Sequence, residues 1–252
     1  MSNIGYSVSM RILVTGASGL VGSSLCPALE AAGHTVLRLS RSGPLAWDPA
    51  ARTIDTKALE SLDGVVHLAG ESVAGRWTAA KKERIVASRR EGTGFLAESL
   101  AALPESNRPR VLVSASAIGI YGDRGDEQLS EQSAPGQGFL ADTARTWEAA
   151  TRPAEEAGIR VAHLRTGIVL SRHGGALATM LPAFKAGLAG PVGSGTQWWS
   201  WIGMDDLVGA YLRALGDETV RGPVNATAPG AATNRDFTKA LAKAVRRPAL
   251  LP

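Results

Sequence analysis

One cysteine, Cys26, stands among 252 residues, so no intrachain disulfide can hold this fold together. The four histidines, His34, His67, His163 and His173, show no metal-ligand spacing, and no metal is expected. No apolar run approaches the roughly 18 residues needed to span a bilayer. Met1–Ser9 lacks the basic segment and apolar core of a secretory signal and reads as a disordered extension ahead of Met10. These absences make a cytoplasmic location the expectation and set membranes aside as partners. Repeats and low-complexity linkers are missing too. What is there is globular composition, with 44% hydrophobic and 20% charged residues. The length suits one large α/β domain or two small ones. The formal charge is +4 and the pI about 9.5, yet the lysines and arginines are scattered and no nucleic-acid motif accompanies them. The excess suits a protein that binds phosphates, and no nucleic-acid partner is expected.

Short β-branched runs alternate with longer helical stretches, the pattern of a parallel sheet built from βαβ units. Strands are predicted at residues 11–15, 35–39, 65–68, 110–113 and 159–164. Helices are predicted at 20–32, at 79–103 (ended by Pro104) and at 139–157. Pro27 falls inside the first helix and is expected to kink it. Beyond Arg165 the pattern loosens into glycine-rich and aromatic segments. Residues 10–165 therefore read as one α/β domain, and 166–252 as a smaller lobe mixed with returning elements of the sheet.

The strongest signal is Thr15-Gly16-Ala17-Ser18-Gly19-Leu20-Val21-Gly22, a glycine turn with a strand before it and a helix after it. In that spacing Gly16 makes the tight turn, Gly19 brings backbone close to a pyrophosphate, and Gly22 lets helix pack on strand. The helix start adds free N–H groups and a positive dipole end. The second strand ends in Arg38-Leu39-Ser40-Arg41-Ser42, with no carboxylate before Asp48 to hold a ribose 2′-hydroxyl. Arg41, with Arg38 as second choice, suits a 2′-phosphate instead, so the expected cofactor is NADP(H). Leu68, Ala69 and Gly70, at another strand end, leave room for the cofactor, and His67 reads as a core histidine. Glu71 is either a cofactor-facing acid or a solvated one. Trp198, Trp199 and Trp201 offer either core or a ligand platform. Asp205 reads as a helix cap, and residues 187–195 as a flexible flap.

These strings resemble the extended short-chain dehydrogenase/reductases, of the epimerase-like type with unassigned substrate. The resemblance rests on Gly16/Gly19/Gly22, His67-Leu-Ala-Gly70-Glu71, Arg76-Trp77, Ser88-Arg89, Ser114-Ala-Ser116, Tyr121-Gly122, Gln197-Trp-Trp-Ser-Trp201, Asn225-Ala-Thr-Ala-Pro229 and Arg247-Pro248. It implies a doubly wound Rossmann sheet with a C-terminal substrate lobe, NADP(H) along the sheet's carboxyl edge, a homodimer, and further helices beyond Pro252. It also implies that Ser114, Ala115, Arg89 and Arg165 lie near the cofactor and that Ser116 is a catalytic serine. A YxxxK pair would complete the site, its tyrosine moving a proton and its lysine lowering the tyrosine pKa. Matching by Glu148 places Leu140 at the tyrosine and Ala144 at the lysine, and neither can move a proton. Tyr121 is the first substitute, five residues after Ser116. The expected function is an epimerase-like oxidoreductase of a small molecule, with an NADP(H)-binding regulator as the alternative.

Overall fold

The computed structural model describes residues 9–249. The extension expected at residues 1–9 lies outside them except for Ser9. The first half of the chain runs β1 (Arg11–Thr15), α1 (Gly22–Ala31), β2 (Thr35–Ser40), β3 (Leu45–Asp48), β4 (Thr53–Ile54), β5 (Gly64–His67), α2 (Ala79–Ala101) and β6 (Val111–Ala117). Next come α3 (Phe139–Ala149), α4 (Arg152–Glu156), β7 (Arg160–Thr166), β8 (Ile168–Leu170), α5 (Gly175–Lys185), β9 (Trp198–Trp199) and β10 (Trp201–Gly203). The chain continues through α6 (Met204–Gly216), β11 (Gly222–Ala226), β12 (Ala232–Thr233) and α7 (Asn234–Val245).

Eight strands form the main sheet in the order β11-β7-β6-β5-β1-β2-β3-β4, parallel except where β4 pairs antiparallel with β3. The chain starts at β1, builds outward to β3, then crosses back and builds the other way from β5. The reversal leaves a crevice at the carboxyl ends of β1 and β5, where open α/β sheets bind their ligands. Both faces of the sheet are covered, which is why its central strands are continuous apolar runs. On β1, Ile12 and Val14 point to one core with Leu25 and Leu29 of α1 and Tyr211 of α6. Leu13 points to the other, with Leu96 and Leu100 of α2.

Several expected boundaries move. The helix expected over 139–157 is two, α3 and α4, because Pro153 enters at the start of α4, where its missing N–H costs nothing. At the break, the Thr151 hydroxyl donates to the Glu148 carbonyl at 2.8 Å. β6 runs on to Ala117, carrying Ser114, Ala115 and Ser116 inside the strand. Gly203, not Asp205, is the cap of α6, and Asp205 and Asp206 fill its first turn, where the positive end of the helix favours acids.

After β7 the chain forms two small pairs, β8 with β10 and β9 with β12. It then returns β11 to the main sheet against β7. β11 is the edge strand, and it carries Pro223, which a central strand rarely admits. The segment expected as a flap is tied down, since the Val192 N–H donates to Asn234 Oδ1 of α7 at 2.7 Å. Among the described residues no helix is long and apolar enough to cross a membrane, and no group of side chains is placed to hold a metal ion.

Candidate functional site

The turn between β1 and α1 is built by exclusion. Gly16 has φ +68°, and a Cβ there would lie 2.8 Å from the Ala69 nitrogen and the Leu68 carbonyl carbon. A Cβ on Gly22 would lie 2.7 Å from Ala17 Cα, so only hydrogen fits where α1 meets the turn. Within the turn the Gly19 N–H donates to the Gly16 carbonyl at 3.0 Å. The N–H groups of Leu20, Val21 and Gly22 have no acceptor among the described residues. Ser18 and Gly19 are exposed. They line a cleft of about 430 Å³ with Leu20, facing His173 and Gly174.

The end of β5 is stapled to this turn. Thr15 Oγ1 accepts from the N–H groups of Leu68 and Ala69 at 3.1 and 3.2 Å and lies 2.8 Å from His67 Nδ1. The other ring nitrogen of His67 is 2.9 Å from Thr93 Oγ1 of α2, and Trp47 meets the ring in a T-shaped contact with centres 6.0 Å apart. Burial, helped by the charge of Arg89, pushes the His67 pKa down from 6.5 to about 4. His67 is thus a neutral core group. Its folded pKa lies below its unfolded value, so its contribution to stability is complete above pH 6.5 and is lost as pH falls toward 4. An NMR titration is expected to show no His67 protonation at neutral pH, with a stability loss of up to roughly 3 kcal/mol over that acid window.

Past Gly70 the chain is held by α2. The Glu71 N–H donates to Ser88 Oγ at 2.9 Å, and the Arg89 guanidinium donates to the carbonyls of Glu71 and Ile85 at 3.0 and 3.1 Å. A Cβ on Gly70 would sit 3.6 Å from that guanidinium, which also stacks 4.7 Å from the Trp147 ring. The Glu71 carboxylate turns to Lys81 Nζ at 2.7 Å, which holds its pKa below the usual range. Arg41 and Ser42 lie exposed just past β2, whereas Arg38 is engaged by Glu30 at 2.7 Å.

Ser116, Tyr121 and Arg165 come together around a group the sequence did not single out as functional. Glu148, on α3, accepts the Ser116 hydroxyl at 2.7 Å and both arms of the Arg165 guanidinium at 2.9 Å. The same guanidinium donates to Tyr121 Oη at 3.0 Å, and the tyrosine donates to Asn225 Oδ1 at 2.6 Å. Glu131 Oε1 accepts the Asn225 N–H at 2.8 Å, which ties β11 into the cluster. Both hydroxyls expected to do chemistry are therefore buried and engaged in this network. Burial pushes the Glu148 carboxyl up, but hydrogen bonds from Arg165 and Ser116 outweigh it and leave its pKa below the usual range. The one trace of Glu148 in the sequence is its place beside Trp147, which serves as a landmark for the helix and not as a sign of a functional acid. Ser114 is fully buried in β6. Trp198 is 49% exposed, while Trp199 packs on Phe237 at 5.0 Å.

A glycine turn at the switch point of a parallel sheet, followed by small strand pairs after β7, matches one family across most of the chain. The model of the NAD dependent epimerase/dehydratase family covers residues 12–226. The chain belongs to that family. An epimerase family protein of Mycobacterium bovis is 42% identical over 243 residues, spanning 94% of this chain and 79% of that one. The crystal structure of human epimerase family protein SDR39U1 (isoform 2), with NADPH, superposes with TM-score 0.88 at 36% identity, covering 96% of this chain and 82% of the human one. A nucleoside-diphosphate sugar epimerase of Corynebacterium glutamicum gives TM-score 0.83 at 41% identity. There this epimerase-family chain is covered over 96% of its length but spans only 52% of the longer protein.

Proposed function

We propose that this chain binds NADP(H) at the Gly16–Gly22 turn and acts as an epimerase-like oxidoreductase on a small molecule. The observation that carries the reading is the cradle itself, whose shape a single Cβ at Gly16 or Gly22 would destroy. Bare backbone there suits a pyrophosphate, and the start of α1 adds N–H groups and a positive dipole end. NADPH in the human relative's crystal supports the phosphate-bearing form. So does Arg41, exposed at the end of β2 with no acid before Asp48 to prefer a free 2′-hydroxyl. When bound, the cofactor supplies or takes up a hydride. Ser18, Leu20, Val21, Leu68 and Ala69 would line its path, and Arg89 would place positive charge beside Gly70.

Calorimetric titration of the intact chain tests the proposal, and NADH bound as tightly as NADPH would overturn the choice between them. Arg41→Ala is expected to weaken NADPH roughly 10- to 100-fold and to leave NADH unchanged, the loss of a charge-assisted phosphate contact.

A second reading, an NADP(H)-binding regulator with little turnover, draws on Leu140 and Ala144 and on the engaged hydroxyls of Ser116 and Tyr121. Stereospecifically deuterated NADPH with a metabolite extract separates the two. Label appearing in any product supports the enzyme, and tight binding without transfer supports the regulator.

A further inference from the structure

The end of α3 where a proton-moving tyrosine would stand is apolar and open. Leu140 is 42% exposed, and its Cβ lies 3.4 Å from where a Cβ on Gly119 would be, against the turn that leaves β6. Beside it Phe139 meets Trp77 edge to face, with ring centres 5.4 Å apart. Trp77 is 40% exposed, and its indole N–H donates to the Val73 carbonyl at 2.8 Å, which fixes the ring. The Lys82 ammonium lies 5.1 Å from the centre of the Phe139 ring. Lys81 and Arg84 take the Glu71 carboxylate, and Lys82 has no ion pair among the described residues.

We infer that this surface is the substrate subsite and that it takes a planar conjugated ring of the quinone class. The inference rests on the NADP(H) reading above and deepens it. A sugar presents several hydroxyls that need hydrogen-bonding partners, and its oxidation or reduction needs a proton-carrying group at Leu140. Leucine and phenylalanine provide neither, the Trp77 N–H is already taken by the Val73 carbonyl, and Lys82 adds one cation beside the ring rather than a set of hydroxyl partners. A quinone needs neither: its flat ring stacks on aromatic faces, and the charge it gains spreads over the ring onto an oxygen. The atoms and electrons balance without a protein acid. NADPH gives one hydride, two electrons and a proton, and becomes NADP⁺. The quinone becomes a hydroquinone monoanion, and water supplies the second proton. Lys82 is the cation placed to stabilise that oxyanion as it develops.

Menadione serves as the probe, under anaerobic conditions, with the full chain. It is expected to quench Trp77 fluorescence saturably without any cofactor, and Trp77→Phe is expected to remove that component. With NADPH present, saturable loss of nicotinamide absorbance is expected with menadione and none with UDP-glucuronate. Leu140→Asp is expected to lower kcat/KM for menadione roughly tenfold or more, the penalty of a charge against an apolar ring. Lys82→Met is expected to lower kcat roughly tenfold with KM little changed. NADPH affinity is expected to hold in both variants. Absence of Trp77-dependent quenching, or turnover indifferent to both variants, overturns the inference. If menadione quenches Trp77 but NADPH fails to bind, the subsite stands and the cofactor reading falls.

Discussion

Gly22→Ala is expected to weaken NADPH binding by about 100-fold or more, close to 3 kcal/mol. The new methyl would stand 2.7 Å from Ala17 Cα and 2.8 Å from its carbonyl carbon. Both neighbours are backbone and cannot swing aside, so α1 must lift off the turn. Lifting it moves the free N–H groups of Leu20 and Val21 away from any phosphate, which costs affinity as well as packing. Gly94→Ala supplies the control, since nothing lies within 4 Å of that position and it sits inside α2. There alanine is expected to raise stability by roughly 0.5–1 kcal/mol and leave cofactor affinity alone. Calorimetry and thermal melts read both effects. NADPH binding to Gly22→Ala with parental affinity would mean that the phosphates do not rest on this turn.

Glu148→Ala is expected to be the most destabilising single change in the site. The Glu148 side chain is 14% exposed and the Arg165 side chain 8%. Removing the acid leaves a buried guanidinium whose main partner is gone, a loss of roughly 3–5 kcal/mol. In a chain of this size that corresponds to a fall in Tm of about 10 °C. Glu148→Gln keeps the shape and one acceptor and is expected to lose less. The pH dependence follows the same pair. The folded pKa of Glu148 lies below its unfolded value, so its contribution is complete above the ordinary carboxylate range and is lost as pH falls through the folded pKa. Arg165 moves the opposite way, upward, with Glu148 as the first cause, so the two partners agree. Melts of the parent and of Glu148→Gln across acid pH are expected to converge as pH drops. Parallel curves would show that the carboxylate carries no such share.

Much of the fold was legible because its signals are local. The apolar run 11–15, closed by Gly16, is β1 to the residue, and the long helix before Pro104 starts at Ala79 as expected. The break between α3 and α4 is not legible, although Pro153 marks it, because the apolar pattern continues across it. Strands β3 and β4 pair with near neighbours in sequence but are too short to show an alternating pattern. The small pairs β8–β10 and β9–β12 are held by partners far away in sequence, and short runs such as Trp198–Trp199 do not reveal such partners. The same distinction divides the site. The glycine turn announces itself in seven residues. The Glu148–Arg165–Tyr121–Asn225 cluster draws on α3, β7, β11 and the turn after β6, and only the folded sheet brings those together.

The outermost strands of the main sheet bear on self-association. At one margin β4 is only two residues long, and at the other β11 carries Pro223. Neither margin offers an incoming chain a long row of free backbone donors and acceptors. Copies of this protein that meet are therefore not expected to splice their main sheets, and a crowded solution finds no ready template at these margins for fibrous growth.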